Sequence, residues 1–223
     1  MTGRHFLALA LLLSTAVSGA SAGSPLFAPS DRTGFWEFSS QIRYTGSQEY
    51  EGKAGSTLSL EDDLGWGFSI AHNFSEQFNV GLFASWRTVD YSAHVVNPNN
   101  AEQSVSWNDW MDTGNVAVFG TWNVLAKRFT PYVQGSVGWA LVDSNIPESV
   151  EIDCWDDPWW GWICTEYEDT YSKEAASFAL GAGVSLQVTE TFLLRAGYEK
   201  SWLDLDGADN FDIFRFDAGF LYR

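Results

Sequence analysis

Apolar and polar residues alternate with a period of two over most of the chain beyond residue 35. This is the period of a β-strand that presents its two faces to different environments. In the first such segment Trp36, Phe38, Ile42 and Tyr44 fall on one face, and Glu37, Ser39, Gln41 and Arg43 fall on the other. Eight segments show the pattern, at residues 36–44, 64–74, 78–87, 115–122, 132–141, 177–187, 192–202 and 214–222. The pattern predicts an all-β chain of eight strands.

The connections between these segments alternate between short and long. Short connections lie at residues 75–77, 125–129 and 189–191. The connections that alternate with them are the long ones, at residues 45–63, 90–110 and 143–173, and a shorter one at residues 204–210. Outer-membrane barrels have short periplasmic turns and longer extracellular loops. The sequence therefore predicts a closed antiparallel eight-stranded transmembrane β-barrel with both termini in the periplasm.

A soluble, exported, lipocalin-like barrel is the main structural alternative, because it also has eight alternating strands. In that fold the apolar face would point inward and the charged face would meet water. Alternation by itself does not choose between the two. The phase of the connections and the aromatic-rich apolar face favour the membrane barrel.

The first two dozen residues read as an export signal. Arg4 and His5 precede an apolar run from Phe6 to Leu13, and Ala20 and Ala22 have the spacing of a cleavage site. A transmembrane helix would need about 20 apolar residues, whereas polar residues follow this run at once. We predict a signal peptide at residues 1–22 and a barrel domain at residues 23–223.

Charge and aromatic content narrow the function classes. The net charge of −17 argues against a nucleic-acid partner, since phosphate binding needs a basic surface. Aromatic residues make up 16% of the chain, including 12 tryptophans, which is too many for a disordered protein. Such a content fits the aromatic girdles of a membrane barrel, with outer-membrane lipids and lipopolysaccharide as partners.

Charged residues also occupy the polar face of the strands. If the apolar face meets lipid, these residues are enclosed in a narrow lumen and must pair with one another. The predicted network contains Glu37, Arg43, Arg87, Arg195, Glu199, Arg215 and Asp217. We expect Glu37 to lie near Arg215 or Arg43, because the first and last strands meet on closure. We interpret these paired charges as a plug of the lumen. The alternative interpretation is that the same charges line a gated ion path.

The third long connection contains the most unusual sequence of the chain. Cys154 and Cys164 flank a short stretch with Pro158 and Gly161, which predicts a loop-closing disulfide in an oxidising compartment, the alternative being two free thiols. The same stretch holds four tryptophans, Trp155, Trp159, Trp160 and Trp162. These rings could recognise a partner or the lipopolysaccharide surface, or they could pack together and cap the barrel mouth.

No arrangement of residues predicts catalysis, a metal site or a cofactor. His72 falls on the apolar face near a short turn, and His94 begins a long connection, without a spaced Ser or Asp partner. Paired carboxylates such as Asp156 and Asp157 are more often hydrated loop charges than acid/base dyads. The sequence therefore favours a protein that is not an enzyme.

Two segments resemble a known family. The tight turn from Asn73 to Phe78 with its flanking strands, and the aromatic-alternating end from Phe214 to Tyr222, are similar to small eight-stranded outer-membrane barrels of the OmpA transmembrane-domain and OmpX type, with outer membrane protein W as a neighbouring possibility. The resemblance implies anchoring, adhesion or passage of small hydrophobic molecules. It also implies that the barrel-assembly machinery reads an aromatic last residue, whereas here Arg223 follows Tyr222.

The polar lumen favours a structural or surface-interaction role with acidic, tryptophan-rich extracellular loops, for an external ligand that the sequence does not name. The alternative is a narrow channel or transporter for small hydrophobic molecules. Such a transporter would want an apolar lumen, and Phe83, Phe119, Tyr132 and Leu193 are the exceptions to the polar pattern.

Overall fold

A computed structural model describes residues 25–51, 55–97, 100–157, 161–204 and 210–223. The elements are a 3₁₀-helix at Pro25–Phe27 and the strands β1 (Trp36–Thr45), β2 (Gln48–Glu51), β3 (Thr57–Leu60), β4 (Asp63–Asn73), β5 (Phe78–Asn97), β6 (Asn100–Asn123), β7 (Phe129–Asp157), β8 (Gly161–Gln187), β9 (Phe192–Leu203) and β10 (Asn210–Tyr222). In these ranges there is no helix with the length and apolar character needed to cross a membrane. The predicted signal peptide, at residues 1–22, lies outside the described residues.

Eight strands form a closed barrel in the order β1, β4, β5, β6, β7, β8, β9, β10. Every neighbouring pair is antiparallel, and β10 returns to β1 with Tyr222 opposite Trp36, so the sheet has no free edge along this seam. The predicted closed, antiparallel, eight-stranded barrel is confirmed. The remaining two strands, β2 and β3, form a hairpin that pairs with β5, with Leu60 opposite Tyr91.

The two faces of the barrel have opposite chemistry. Large apolar side chains cover the outer face, and they are well exposed, from 36% at Ile70 to 71% at Trp139. The alternate positions point inward and are mostly polar or charged. A soluble barrel would bury its apolar face, so the lipocalin-like alternative is wrong. A continuous apolar surface of this kind is suited to lipid and not to water.

The long connections differ from the prediction, because most of their residues are strands. β5 and β6 continue through residues 90–110 to Asn97 and Asn100, and β7 and β8 continue through residues 143–173 to Asp157 and Gly161. β7 has 29 residues, although roughly 10 suffice to cross a membrane. Each arm of these hairpins has an antiparallel partner, so the ladder continues beyond the barrel. We call this end of the barrel the hairpin end and the opposite end the turn end.

Side chains fill the lumen at three levels, as expected for a barrel of this size. An apolar cluster lies nearest the hairpin end, and its buried members are Leu60, Val89, Tyr91, Ala93, Phe211 and Ile213. Charged residues from β1, β9 and β10 occupy the middle. Asparagine, threonine, serine and glutamine side chains lie at the turn end, among them Asn73, Asn79, Thr121, Thr130 and Ser185.

The segment before β1 crosses the turn end. We call residues 28–35 the N-terminal strap. Near its start, Pro29 forms an isolated β-bridge with Lys127 in the β6–β7 turn. The strap ends in a tight turn at Gly34, whose φ of 79° is strained for other residues, before entering β1. Because β1 and β7 lie on opposite sides of the barrel, the strap passes beneath the lumen.

Candidate functional site

The charged middle layer of the lumen is built by three neighbouring strands. β1 contributes Glu37 and Arg43, β9 contributes Arg195 and Glu199, and β10 contributes Arg215 and Asp217. All six side chains point inward because each has the inward parity of its strand, and none is more than 6% exposed. Three arginines therefore face three carboxylates in the middle of the lumen, with very little exposure to solvent.

The pair nearest the turn end joins β9 to β1. Both terminal nitrogens of Arg195 donate to the carboxylate of Glu37, and the contact from Nη2 to Oε2 is 2.9 Å. The guanidinium also lies 5.9 Å from the centre of the Tyr132 ring. A bidentate, charge-assisted geometry of this kind gives strong and directional bonding.

The second group lies nearer the hairpin end and centres on Glu199. Its carboxylate accepts hydrogen bonds from Arg43 at 2.5 Å and from Arg215 at 3.2 Å. Arg215 also places Nε 3.1 Å from Asp217 Oδ1. Arg215 Nη2 donates to Gln134 at 2.9 Å and to the Tyr132 hydroxyl at 3.3 Å. The network thus crosses the lumen from β1 to β7.

The expectation that Glu37 pairs with Arg215 or Arg43 is wrong. Arg43 and Arg215 lie directly opposite each other across the β1–β10 seam, so two like charges share that level. Glu37 is six residues away on the same strand, about 20 Å at 3.3 Å per residue. Arg195 lies next to β10, opposite Asp217, and its long side chain reaches past β10 to Glu37.

Arg87 belongs to a separate level towards the hairpin end. Its guanidinium lies 3.9 Å from Asp63 and 4.7 Å from the centre of the Phe211 ring. Sequence reasoning missed Asp63 because it was assigned to the end of a loop. Its parity matched the inward residues Gly65 and Gly67, and this signal could have identified it.

A small cavity lies between the charged layer and the apolar cluster. Its volume is about 50 Å³, enough for a few water molecules. Both Arg43 and Arg87 line it, with hydroxyls such as Thr113 on the walls and Phe211 towards the hairpin end. The charged layer forms its boundary towards the turn end, so this cavity lies on the hairpin side of the ion pairs.

The predicted features of the third long connection lie on the β7–β8 hairpin. Cys154 is directly opposite Cys164 in the antiparallel register. Their side chains lie outside the described residues, as do those of Trp155 and Trp162. Trp159 and Trp160 lie outside the described residues altogether. The disulfide and the role of the tryptophans therefore stay predictions.

His72 and His94 occupy separate places. The ring of His72 lies on the outer face, 4.9 Å from the rings of both Trp36 and Phe74. His94 lies on β5 at the hairpin end, where its Nδ1 is 2.8 Å from the Ser106 hydroxyl. Over the described ranges, no group of three or more metal-ligating side chains comes together.

Comparisons with known proteins identify a family and similar solved structures for this barrel. The family model for the outer membrane protein beta-barrel domain matches residues 7–223. No curated protein matches the chain. The crystal structure of the outer membrane protein OprG from Pseudomonas aeruginosa is similar over 88% of this chain and 99% of that one, with 9% identity and a TM-score of 0.52.

Two further structures match with lower scores. Ail, the attachment invasion locus protein of Yersinia pestis, crystallised with the heparin analogue sucrose octasulfate, is 17% identical over 84% of this chain and 99% of that one, with a TM-score of 0.44. Neisserial surface protein A is 12% identical over 85% and 96%, with a TM-score of 0.46. On the family match, which covers nearly the whole sequence, the chain belongs to the outer membrane protein β-barrel family and is a protein of the bacterial outer membrane.

Proposed function

We propose that this protein is a non-conducting scaffold of the outer membrane whose lumen is plugged by ion pairs and whose acidic hairpins interact with partners at the cell surface. The observation that supports the plug is the paired, balanced set of three arginines and three carboxylates in the middle of the lumen, all at most 6% exposed. Short turns face the periplasm in this class of barrel, so we take the hairpin end as extracellular.

An ion that crossed the lumen would have to separate these pairs. Charges removed from water are costly unless they stay paired and hydrogen-bonded, so the network resists opening. Aromatic rings narrow the same region, since Phe83 and Phe119 pack together inside the barrel with centroids 6.2 Å apart. The lumen is therefore better suited to holding the barrel rigid than to passing solutes.

The β7–β8 hairpin is the best candidate for the surface role. Between residues 143 and 174 the sequence has ten carboxylates and one lysine, together with Trp155, Trp159, Trp160 and Trp162. Because Cys154 and Cys164 are opposite each other on paired strands, a disulfide between them would hold the two arms together. An acidic, aromatic surface would suit a cationic partner, or lipopolysaccharide phosphates bridged by divalent cations.

Single-channel recording in planar bilayers tests the plug. We expect the wild-type barrel to give no current above background over a range of voltages. The double variant Glu37→Ala, Arg195→Ala removes a buried pair without leaving a charge unpaired, and it should conduct if the network is the barrier. Steady wild-type current would refute the plugged scaffold.

The surface role needs a separate test. The variant with Trp159, Trp160 and Trp162 replaced by alanine is compared with wild type for binding to vesicles of lipopolysaccharide, with and without a divalent cation, and for melting temperature. Loss of binding at unchanged melting temperature would support recognition. Unchanged binding with a lower melting temperature would show that these rings only cap the barrel.

One observation favours the alternative of transport. The apolar cluster at the hairpin end, with the cavity of about 50 Å³ beside it, offers an apolar entrance for a small hydrophobic solute. The charged layer then blocks the way to the turn end. Uptake of a hydrophobic solute by cells that make this barrel, above that of cells without it, would support the transporter over the scaffold.

A further inference from the structure

One carboxylate, that of Glu76, makes most of the side-chain hydrogen bonds that hold the N-terminal strap to the barrel. Glu76, in the β4–β5 turn, accepts hydrogen bonds from the backbone N–H of Arg32 at 3.0 Å and of Thr33 at 3.1 Å. It also accepts from the hydroxyls of Thr33, at 2.8 Å, and Ser30. Four donors of the strap thus converge on a single side chain, which is more than a passive linker requires.

The other end of the strap is fixed to the β6–β7 turn. Arg128 N–H donates to the carbonyl of Ala28 at 3.0 Å, and Ser30 N–H donates to the carbonyl of Ala126 at 3.4 Å. At its end before β1, Gly34 N–H donates to the Asn73 carbonyl at 2.7 Å, and Asn73 N–H donates to the Phe35 carbonyl at 2.9 Å. Between these two ends, residues 30–33 are held by Glu76.

The side chain of Arg32 enters the barrel from the strap. It is fully buried, and its Nη2 reaches the carbonyls of Lys127 and Arg128 only at 3.5 and 3.4 Å. Within the described ranges no carboxylate forms an ion pair with it, and its Nε and Nη1 have no hydrogen-bond partner. Burial, and then the charge of Arg195, lower the pKa of Arg32 to about 10. A buried and unpaired cation opposes the anchoring of the strap.

The lumen directly above the strap is closed to solvent. Thr121, Thr130 and Ser185 are all fully buried although they lie near the turn end. Gln187 N–H donates at 2.8 Å to the Arg128 carbonyl, which is one of the two that Arg32 contacts. Ser185 is two residues further inside on the same strand, so its accessibility reports on solvent entry past this contact.

We propose that the N-terminal strap is a detachable closure of the turn end, held shut by Glu76 against the buried charge of Arg32, and that its release opens the lower lumen to the periplasm. The closure lies below the ion-paired layer. It therefore goes beyond the plugged scaffold and does not depend on whether that layer conducts.

Cysteine accessibility tests the closure. The probe is Ser185→Cys in a chain whose Cys154 and Cys164 are serine, in lipid nanodiscs, treated with a small membrane-impermeant methanethiosulfonate. With the strap in place the new thiol should react slowly. Glu76→Ala should raise the rate about tenfold or more, because one charge-assisted hydrogen bond already contributes that factor. Ser30→Ala, which removes one donor, is the milder variant if Glu76→Ala does not fold.

Two controls separate strap release from general loosening. Glu190→Ala removes an exposed carboxylate from another short turn, and it should leave the rate at position 185 unchanged. A second probe, Ser201→Cys, lies in the lumen towards the hairpin end and should not respond to Glu76→Ala. Fast reaction of position 185 in the parent, no acceleration by Glu76→Ala or Ser30→Ala, or equal acceleration at both probes would each overturn the closure.

Discussion

Removal of the carboxylate of Glu37 should destabilise the barrel strongly. Glu37 is 1% exposed and Arg195 is 3% exposed, and two hydrogen bonds join them. Glu37→Gln leaves the Arg195 guanidinium buried beside the Tyr132 ring, with three arginines and two carboxylates in the layer. Breaking a buried pair from one side costs about 3–5 kcal/mol, because the remaining charge has lost its compensation. We expect a loss of that size in the free energy of unfolding.

The second arm of the experiment removes both charges. Arg195→Met combined with Glu37→Leu leaves no unpaired ion, and buried pairs replaced by apolar groups of similar volume are often neutral in stability. The double variant should therefore recover most of the loss seen with Glu37→Gln. With the single variants Glu37→Leu and Arg195→Met measured as well, the resulting non-additivity distinguishes an ion pair from two unrelated packing positions.

The measurement is urea-induced unfolding in lipid vesicles, followed by tryptophan fluorescence and by the heat-dependent mobility shift of the folded barrel. Asp212→Asn is the matched control, since its pair with Lys200 at 3.7 Å lies on the outer face with side chains 39% and 50% exposed. The amide oxygen of asparagine can still accept the hydrogen bond that the Tyr198 hydroxyl donates to this position. An exposed pair contributes about 0.2–1 kcal/mol. If Glu37→Gln costs no more than Asp212→Asn, the reasoning about the buried layer is refuted.

Three further predictions concern other parts of the barrel. Gly197→Ala would place a Cβ 2.4 Å from the Tyr132 hydroxyl and should cost about 1–3 kcal/mol in urea unfolding, whereas Gly46→Ala, with open space around it, should cost much less. Burial raises the pKa of Glu76, but the hydrogen bonds from Ser30, Thr33 and Arg32 outweigh it and bring the pKa below the usual 4.5. Glu76 therefore stabilises the strap fully above pH 4.5, and this stabilisation is lost as the pH falls through the lowered pKa of Glu76. The rate of proteolysis within residues 28–35 should rise over the same pH range. Glu76→Gln should remove this pH dependence of the proteolysis rate. Denatured, unreduced protein should bind no maleimide if Cys154 and Cys164 are joined, and labelling of two thiols without reductant would contradict the disulfide.

The sequence predicted the direction of most side chains but not their partners. Strand parity placed Glu37, Arg195 and Arg215 inward, because a period of two assigns each residue to one face. Parity carries no information on how far along the barrel axis an arginine reaches. The pairing of Arg195 with Glu37 depends on the register of β9, β10 and β1 and on the length of the side chain, and no local pattern specifies either.

The strap was not predicted for a related reason. Its main contacts join Ser30, Arg32 and Thr33 to Glu76, more than 40 residues away, and none of these residues belongs to an alternating segment. From the sequence alone, Glu76 is predicted only to lie in a short turn. Contacts between an irregular segment and a turn have no periodic signal, so sequence patterns alone could not bring them together.

The sequence predicts loops at the long connections because the hydrophobic alternation changes face towards the hairpin end. On β5 the outward apolar position Trp86 is followed by the exposed residues Thr88 and Asp90, while the apolar residues Val89 and Tyr91 turn inward and are buried. A sequence pattern that requires the apolar residues to stay on one face therefore predicts that the strand ends at this change.

The same reversal occurs on β10. Phe211 and Ile213 are buried inside the barrel, whereas Phe214 and Phe216 are exposed on the outer face. A strand that leaves lipid for water must exchange its outward apolar residues for polar ones, and it can then bury apolar residues inside. We infer that the reversals on β5, at residues 86–89, and on β10, at residues 213–214, mark the boundary of the membrane at the hairpin end. The apolar cluster beyond them would then be the core of an extension of the barrel outside the membrane.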